Sequence, residues 1–120
     1  MEAKLKWLHS PDVDDLVSYR PEYSDNFAFL LQAMIGPEGG DGEESFDLEV
    51  CTPKWIEHNL REGEALVGMH HLIVCTYDYH MIVAAIEKFL LGCSGENWCE
   101  VSKKVSKLGF WEFEGYEGKK

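Results

Sequence analysis

Basic residues are scarce in this chain, and one long stretch has none at all. The sequence holds 11 Lys and Arg residues against 22 Asp and Glu residues, so its formal net charge at pH 7 is −11. Between Pro21 and Pro53 it carries eight acidic residues and no Lys or Arg. Nucleic acids and anionic membranes are bound by basic surfaces, so this composition argues against both as partners. It suits a basic protein partner, and it equally suits a protein whose acidity only keeps it in solution.

Long apolar runs are missing too. Residues 1–12 lack the apolar core of a signal peptide, and no later run approaches the length of a membrane span. We therefore expect a cytoplasmic protein with free thiols. Cys51 is expected to be the most exposed cysteine, because it shares its strand parity with Asp47 and Glu49. The other three cysteines are Cys75, Cys93 and Cys99.

The sequence also lacks recognisable motifs for catalysis and for metal or cofactor binding. His70 and His71 are neighbours in a predicted strand, where they face opposite sides of the sheet and cannot hold one ion. Cys93 and Cys99 are too far apart for a zinc knuckle. The glycine-rich turn at 36–40 leads into a strand and lacks the lysine of a phosphate-binding loop. We therefore predict a protein with no catalytic residues, no metal and no cofactor.

The segment from Asn26 to Leu60 organises the rest of the chain. Residues 27–35 are an almost unbroken apolar run, which predicts a central strand with both faces covered. A turn rich in glycine and acidic residues follows at 36–45. Residues 46–51 then alternate, with apolar side chains on one parity. This pattern predicts the second strand of a β-hairpin.

Around this hairpin the sequence predicts a single α+β domain over residues 1–120, with a mainly antiparallel sheet and three helices. The segment 66–76 is apolar at both parities and is therefore expected to be another central strand. Further strands are expected at 2–9 and 110–114, helices at 53–63, 78–91 and 97–108, and a frayed tail at 115–120.

The candidate binding residues are carboxylates on and beside the hairpin. An acidic loop on a rigid hairpin is well placed to hold a cationic partner. Three further aspartates precede it in a polar loop. The predicted partner-binding residues are Asp12, Asp14, Asp15, Glu38, Asp41, Glu43, Glu44, Asp47 and Glu49.

Four segments in fixed order carry a family resemblance. They are HSPD, NFAFLLQAMIGPEGGDGEESFDLEVCTPKW, GMHHLIVCTYDY and NWCEVSKKVSKLGFWEFEGY. As an ordered set they resemble the immunity protein 8 family from about Leu5 to Tyr116, most strongly from Asn26 to Trp55. The resemblance implies a non-enzymatic cytoplasmic antidote of a bacterial polymorphic-toxin or contact-dependent-inhibition system. Such a protein binds a toxin domain, for instance a basic nuclease, and blocks it.

Two other classes of function stay open at this point. An acidic adaptor or scaffold module would bind several partners at modest affinity, whereas an immunity protein should bind one cognate toxin. A hydrolase would use carboxylates such as Glu43 and Glu44 to hold a metal ion, although clustered carboxylates alone are weak evidence. The sequence allows a monomer, or a homodimer formed through an exposed sheet edge.

Overall fold

The computed structural model describes residues 1–113, which form five strands and three helices. This content confirms the predicted α+β class. The strands are β1 (Ala3–His9), β2 (Ala28–Pro37), β3 (Glu44–Cys51), β4 (His71–Ile73) and β5 (Phe110–Trp111), and the helices are α1 (Pro53–Asn59), α2 (Tyr79–Leu90) and α3 (Trp98–Val105). The frayed tail predicted at 115–120 lies outside the described residues.

The strands form one mixed, mostly antiparallel sheet around β2 and β3. Strand β2 pairs antiparallel with β1 on one side and with β3 on the other. The remaining edge of β3 is shared, because residues 49–51 pair in parallel with β4 and residues 46–47 pair antiparallel with β5. Strand β1 therefore lies at an edge of the sheet, as its lysines predicted.

Helices α2 and α3 cover one face of the sheet, referred to below as the inner face. Alternate residues of β2 and β3 point into it, and Leu31 and Leu48 are each only 1% exposed. Ile86 of α2 and Val101 of α3 are fully buried in the same apolar cluster. Burial of alternate strand residues against helical stripes is what the two periodicities of the sequence require.

Each helix begins at a side-chain cap that the sequence displays. Thr52, Asp78 and Asn97 each accept a hydrogen bond from the backbone N–H three residues further along the chain. Caps of this kind satisfy N–H groups that the first helical turn leaves unpaired. Thr52 also accepts the N–H of Phe27, so the start of α1 is tied to the start of β2. None of the helices in the described part of the chain is long and apolar enough to cross a membrane.

The prediction of a central strand at 66–76 is wrong. Only His71–Ile73 pairs, and it does so at the edge of the sheet. Residues 66–69 lie in a loop instead, where Val67 and Met69 are 75% and 63% exposed. His70 has a left-handed backbone, with φ of 61°, and this conformation interrupts an extended run before β4.

Strands β2 and β5 lie where they were predicted, but the burial of β2 and the length of β5 differ from the prediction. Strand β2 is central, but α2 and α3 cover only one face of it, and its even-numbered residues from Ala28 to Met34 stay partly exposed. The last strand pairs over Phe110–Trp111 alone. Residues 112–113 form a turn in which Glu112 still exchanges hydrogen bonds with Ser45 of β3. The predicted end at residue 114 lies beyond the described part of the chain.

Candidate functional site

The sheet surface opposite α2 and α3 combines acidic and apolar side chains. Trp7 pairs with Met34 across β1 and β2, and Ile73 lies two positions beyond the residue that pairs with Glu49. Trp7, Ile73 and Phe110 are 49%, 54% and 53% exposed. This surface is named the outer face, and it is defined by Trp7, Met34, Asp47, Glu49, Ile73 and Phe110.

A row of carboxylates runs along β3 on the outer face. Asp47 and Glu49 have the parity opposite to the buried residues of β3, and side chains two residues apart on a strand are separated by about 7 Å. Glu43 precedes β3 and lies on the same side, where it accepts the Trp7 indole N–H. The Ser45 hydroxyl donates to Asp47 over 2.8 Å. The His71 ring lies 3.3 Å from the Glu49 carboxylate. The row therefore consists of three carboxylates with one hydroxyl and one imidazole beside them.

Glu43 and Glu44 are held by indole groups on opposite faces of the sheet. Trp7 donates its Nε1–H to Glu43 on the outer side. Trp98 and Trp111 both donate to Oε1 of Glu44, over 2.8 and 2.9 Å. Glu44 therefore joins the hairpin to α3 and β5 and has a structural role. Because neighbouring strand residues point to opposite sides, Glu43 and Glu44 are not placed to share one metal ion.

The hairpin turn presents Glu38 and Asp41 to solvent. Both residues are exposed. The Lys6 amino group donates to the Gly40 carbonyl over 2.9 Å and ties the turn to β1. A Cβ on Gly36 would lie 2.1 Å from a backbone oxygen across the turn, so only glycine fits there. The turn thus has a defined shape, and its two carboxylates are available to a partner.

The three aspartates of the N-terminal loop lie towards the other end of β2. Asp12 accepts the Leu30 N–H over 2.9 Å, where β1 has already left the sheet. Asp15 accepts two hydrogen bonds within its own turn, and Asp14 is exposed. Leu30 is five residues along β2 from the position that pairs with Glu44, a distance of about 17 Å at the rise of a strand.

The nine predicted residues therefore form two separate groups. The structure brings the turn and the β3 row together, since both belong to one hairpin. It keeps the aspartates at 12–15 apart from the turn. Within residues 1–113 no group of three or more His, Cys, Asp or Glu side chains is arranged to hold a metal ion.

The prediction that Cys51 is exposed is wrong. Its parity is that of the outer face, but it lies between β2 and β4 at the end of β3 and is 0% exposed. Burial, with a smaller contribution from the Glu49 carboxylate, raises the pKa of the Cys51 thiol to about 11. A buried thiol with a raised pKa is a poor nucleophile at neutral pH. Cys75 and Cys99 are the exposed cysteines.

The apolar part of the outer face was not foreseen from the sequence. The alternation of β3 shows that Asp47 and Glu49 face away from the core, but not which residues lie beside them. That depends on the strand register and on a bulge in β1 between Leu5 and Trp7. The exposed apolar loop before β4 was missed because its composition resembles that of a buried strand. Its exposed residues are Leu66, Val67 and Met69.

Comparison with known protein families gives one match over nearly the whole chain. Residues 3–116 match the family model described as immunity protein 8. This finding confirms the resemblance seen in the four sequence segments. No curated protein and no solved structure matches the chain.

Proposed function

Because this chain belongs to the immunity protein 8 family, we propose that it neutralises one cognate toxin domain by binding it. Family membership makes it an immunity protein against a polymorphic toxin. We further propose that the protein acts stoichiometrically and not as an enzyme. We also propose that the toxin domain is basic, as in a nuclease, and that it belongs to a contact-dependent-inhibition or related polymorphic-toxin system.

The observation that supports a basic partner is the placement of the carboxylates. Glu38 and Asp41 are exposed at the hairpin turn, and Glu43 begins the acidic row on the outer face. A nuclease domain needs Lys and Arg side chains to hold the phosphate backbone of its substrate. Acidic groups on this protein would occupy those cations and exclude the nucleic acid. With a net charge of −11, the whole molecule would also be steered towards such a toxin during encounter.

Two of the nine carboxylates are proposed to serve the fold rather than the partner. Loss of Glu44 would leave two indole N–H donors without an acceptor, and loss of Asp12 would leave the backbone N–H of Leu30 without one. Changing either residue should therefore affect binding through stability, whereas Glu43 and Asp47 each accept one side-chain hydrogen bond within residues 1–113. The partner contacts are proposed to come from Glu38, Asp41, Glu43, Asp47 and Glu49, with Asp14 and Asp15 acting through the long-range field.

The cytoplasm is the proposed place of action. A toxin that degrades nucleic acid reaches its substrate there, and an inhibitor must bind it before the substrate does. Rapid, charge-steered association serves this purpose, since steered pairs associate at about 10⁸–10⁹ M⁻¹s⁻¹ at low salt.

The first experiment is co-expression with the C-terminal domain encoded by the gene immediately upstream. We expect a stable complex on co-purification and restored growth of cells that express the toxin domain. Survival without a complex would point to an enzymatic or indirect antidote and would overturn inhibition by binding. Several unrelated domains retained with equal affinity would support the adaptor class instead.

The second experiment tests the acidic turn. The double variant Asp41→Ser/Glu43→Ser removes two exposed charges and leaves Glu44 in place. We expect slower association and a weaker dependence of affinity on salt. The control is Glu57→Ser/Glu62→Ser, which changes the net charge equally at exposed positions outside the hairpin. Equal effects of the two variants would show that only net charge matters, and no effect of either would exclude the turn from the interface.

A further inference from the structure

The outer face has an unusual composition for the side of a sheet opposite its packed helices. A sheet with one packed face normally shows polar side chains to water on the other. Here Trp7, Ile73 and Phe110 are each about half exposed. Exposed apolar side chains grouped with polar ones mark sites of protein association.

The apolar side chains flank the acidic row on both sides. Asp47 pairs directly with Phe110 across β3 and β5. On the opposite side, Leu30 of β2 pairs with Glu49. Trp7 lies one strand further out, where its indole donates to Glu43. A surface complementary to this arrangement presents Lys or Arg side chains between apolar ones.

We propose that the outer face is the surface on which the toxin domain docks. This inference rests on the proposed function and specifies its site and the chemistry of the partner. The acidic row pairs with basic side chains of the toxin, and Trp7, Ile73 and Phe110 provide the apolar anchors. Lys4, which lies towards the hairpin turn on β1, is a basic group at the rim of this surface.

The backbone under the outer face is already ordered before binding. Strands β2 and β3 pair along eight residue positions, from Ala28–Cys51 to Ile35–Glu44. The hydrogen bond to Glu43 holds the indole of Trp7 in place. Side chains ordered in advance lose less entropy on binding, and tryptophan is among the residues that most often dominate interface energetics.

The test replaces the anchors by lysine in the full-length protein. The variant Ile73→Lys/Phe110→Lys removes two exposed apolar side chains and adds two positive charges. The matched control is Val17→Lys/Phe89→Lys, which replaces one β-branched residue and one phenylalanine that are 66% and 39% exposed elsewhere on the molecule. Affinity for the co-expressed upstream toxin domain is measured by calorimetry or surface plasmon resonance, with thermal unfolding as the check on folding.

We expect the outer-face variant to bind at least about 100-fold more weakly, since each replaced anchor is expected to behave as an interface hot spot. The control should stay within about threefold of the original protein, because surface changes outside the interface have small effects. If Ile73→Lys/Phe110→Lys lowers thermal stability, the single truncation Trp7→Ala provides a second variant. It should weaken binding without adding charge.

The outcomes separate the docking surface from the function. Absence of any complex with the unchanged protein would contradict the proposed function itself. A complex that forms equally well with Ile73→Lys/Phe110→Lys would overturn the docking surface and leave the function standing. The docking surface would also be overturned if the protein alone forms a dimer that Ile73→Lys/Phe110→Lys dissociates. In that case a second copy of the chain would occupy the outer face.

Discussion

The two faces of β3 differ in both burial and charge. On the inner face Phe46, Leu48 and Val50 are at most 1% exposed. On the outer face Asp47 and Glu49 remain partly exposed beside aromatic and aliphatic neighbours. A single strand therefore carries the centre of the core on one side and the proposed docking surface on the other.

Three of the four tryptophans show the same contrast between the two faces. Trp98 and Trp111 pack against the core and direct their N–H groups to Glu44, whereas Trp7 is half exposed and directs its N–H group to Glu43. The inner pair connects α3 and β5 to the hairpin. The outer one, Trp7, is 49% exposed. Similar hydrogen bonds thus serve stability on one face and the orientation of a surface side chain on the other.

The largest difference between the faces should appear with two phenylalanines. Phe46→Ala is expected to lower the free energy of unfolding by about 3–5 kcal/mol, because it leaves a cavity beside the stacked ring of Trp111. Phe110→Ala, at a side chain that is 53% exposed, should cost no more than about 1 kcal/mol. Urea unfolding measures both. Equal losses would mean that the outer face is packed in solution.

A smaller contrast is expected between the adjacent glutamates. Glu44→Ala leaves two indole N–H donors without their acceptor and should cost about 2–3 kcal/mol in urea unfolding. Glu43→Ala removes one exposed hydrogen bond and should cost about 0.5 kcal/mol. Near-identical values for the two variants would show that the tryptophan pair does not depend on Glu44.

Cys51 is a residue of β3 with outer parity that is nevertheless buried. Burial raises the pKa of its thiol from the ordinary value of 9.0 to about 11 in the fold. The unfolded chain therefore releases this proton first, and the contribution to stability present below about pH 9 is lost as the pH rises towards 11. Cys51→Ala should flatten the fall in stability over this range. Cys75→Ala, at an exposed site, should leave it unchanged, and a similar flattening would contradict the assignment to Cys51.

Local signals in the sequence were sufficient for most of the fold. The caps Thr52, Asp78 and Asn97 have chemistry that acts within one helical turn, and the alternation at 46–51 reports burial on one side directly. The starts of these elements were predicted correctly, whereas α1 ends at Asn59 and α3 at Val105, before the predicted ends at 63 and 108. The acidic hairpin was also recognised, because charge and turn residues are visible without any knowledge of pairing.

The remaining features depend on pairing between distant residues. Residues 66–69 are as apolar as a core strand, and only the left-handed turn at His70 shows that they leave the sheet. Cys51 has the parity of a surface residue, yet strands on both sides bury it. The apolar half of the outer face comes from four strands and a bulge, whose register the sequence alone does not specify.

The smallest expected effect on stability comes from removing the charges of the acidic row. The residues of this row differ from those of the inner face in that the fold should not depend on them. Asp47→Asn/Glu49→Gln keeps the shape of both side chains and removes their charge. Partly exposed carboxylates contribute little to folding, so the unfolding free energy should change by less than about 0.5 kcal/mol. The same variant should bind the toxin domain more slowly and with a weaker dependence on salt. Glu57→Gln/Glu62→Gln, which removes the same charge at exposed positions outside the hairpin, provides a control with a similarly small effect on stability and a smaller effect on binding. If the double variant instead unfolds readily, the two carboxylates stabilise the fold. The assignment of stability to the inner face of β3 and of binding to its outer face would then be wrong.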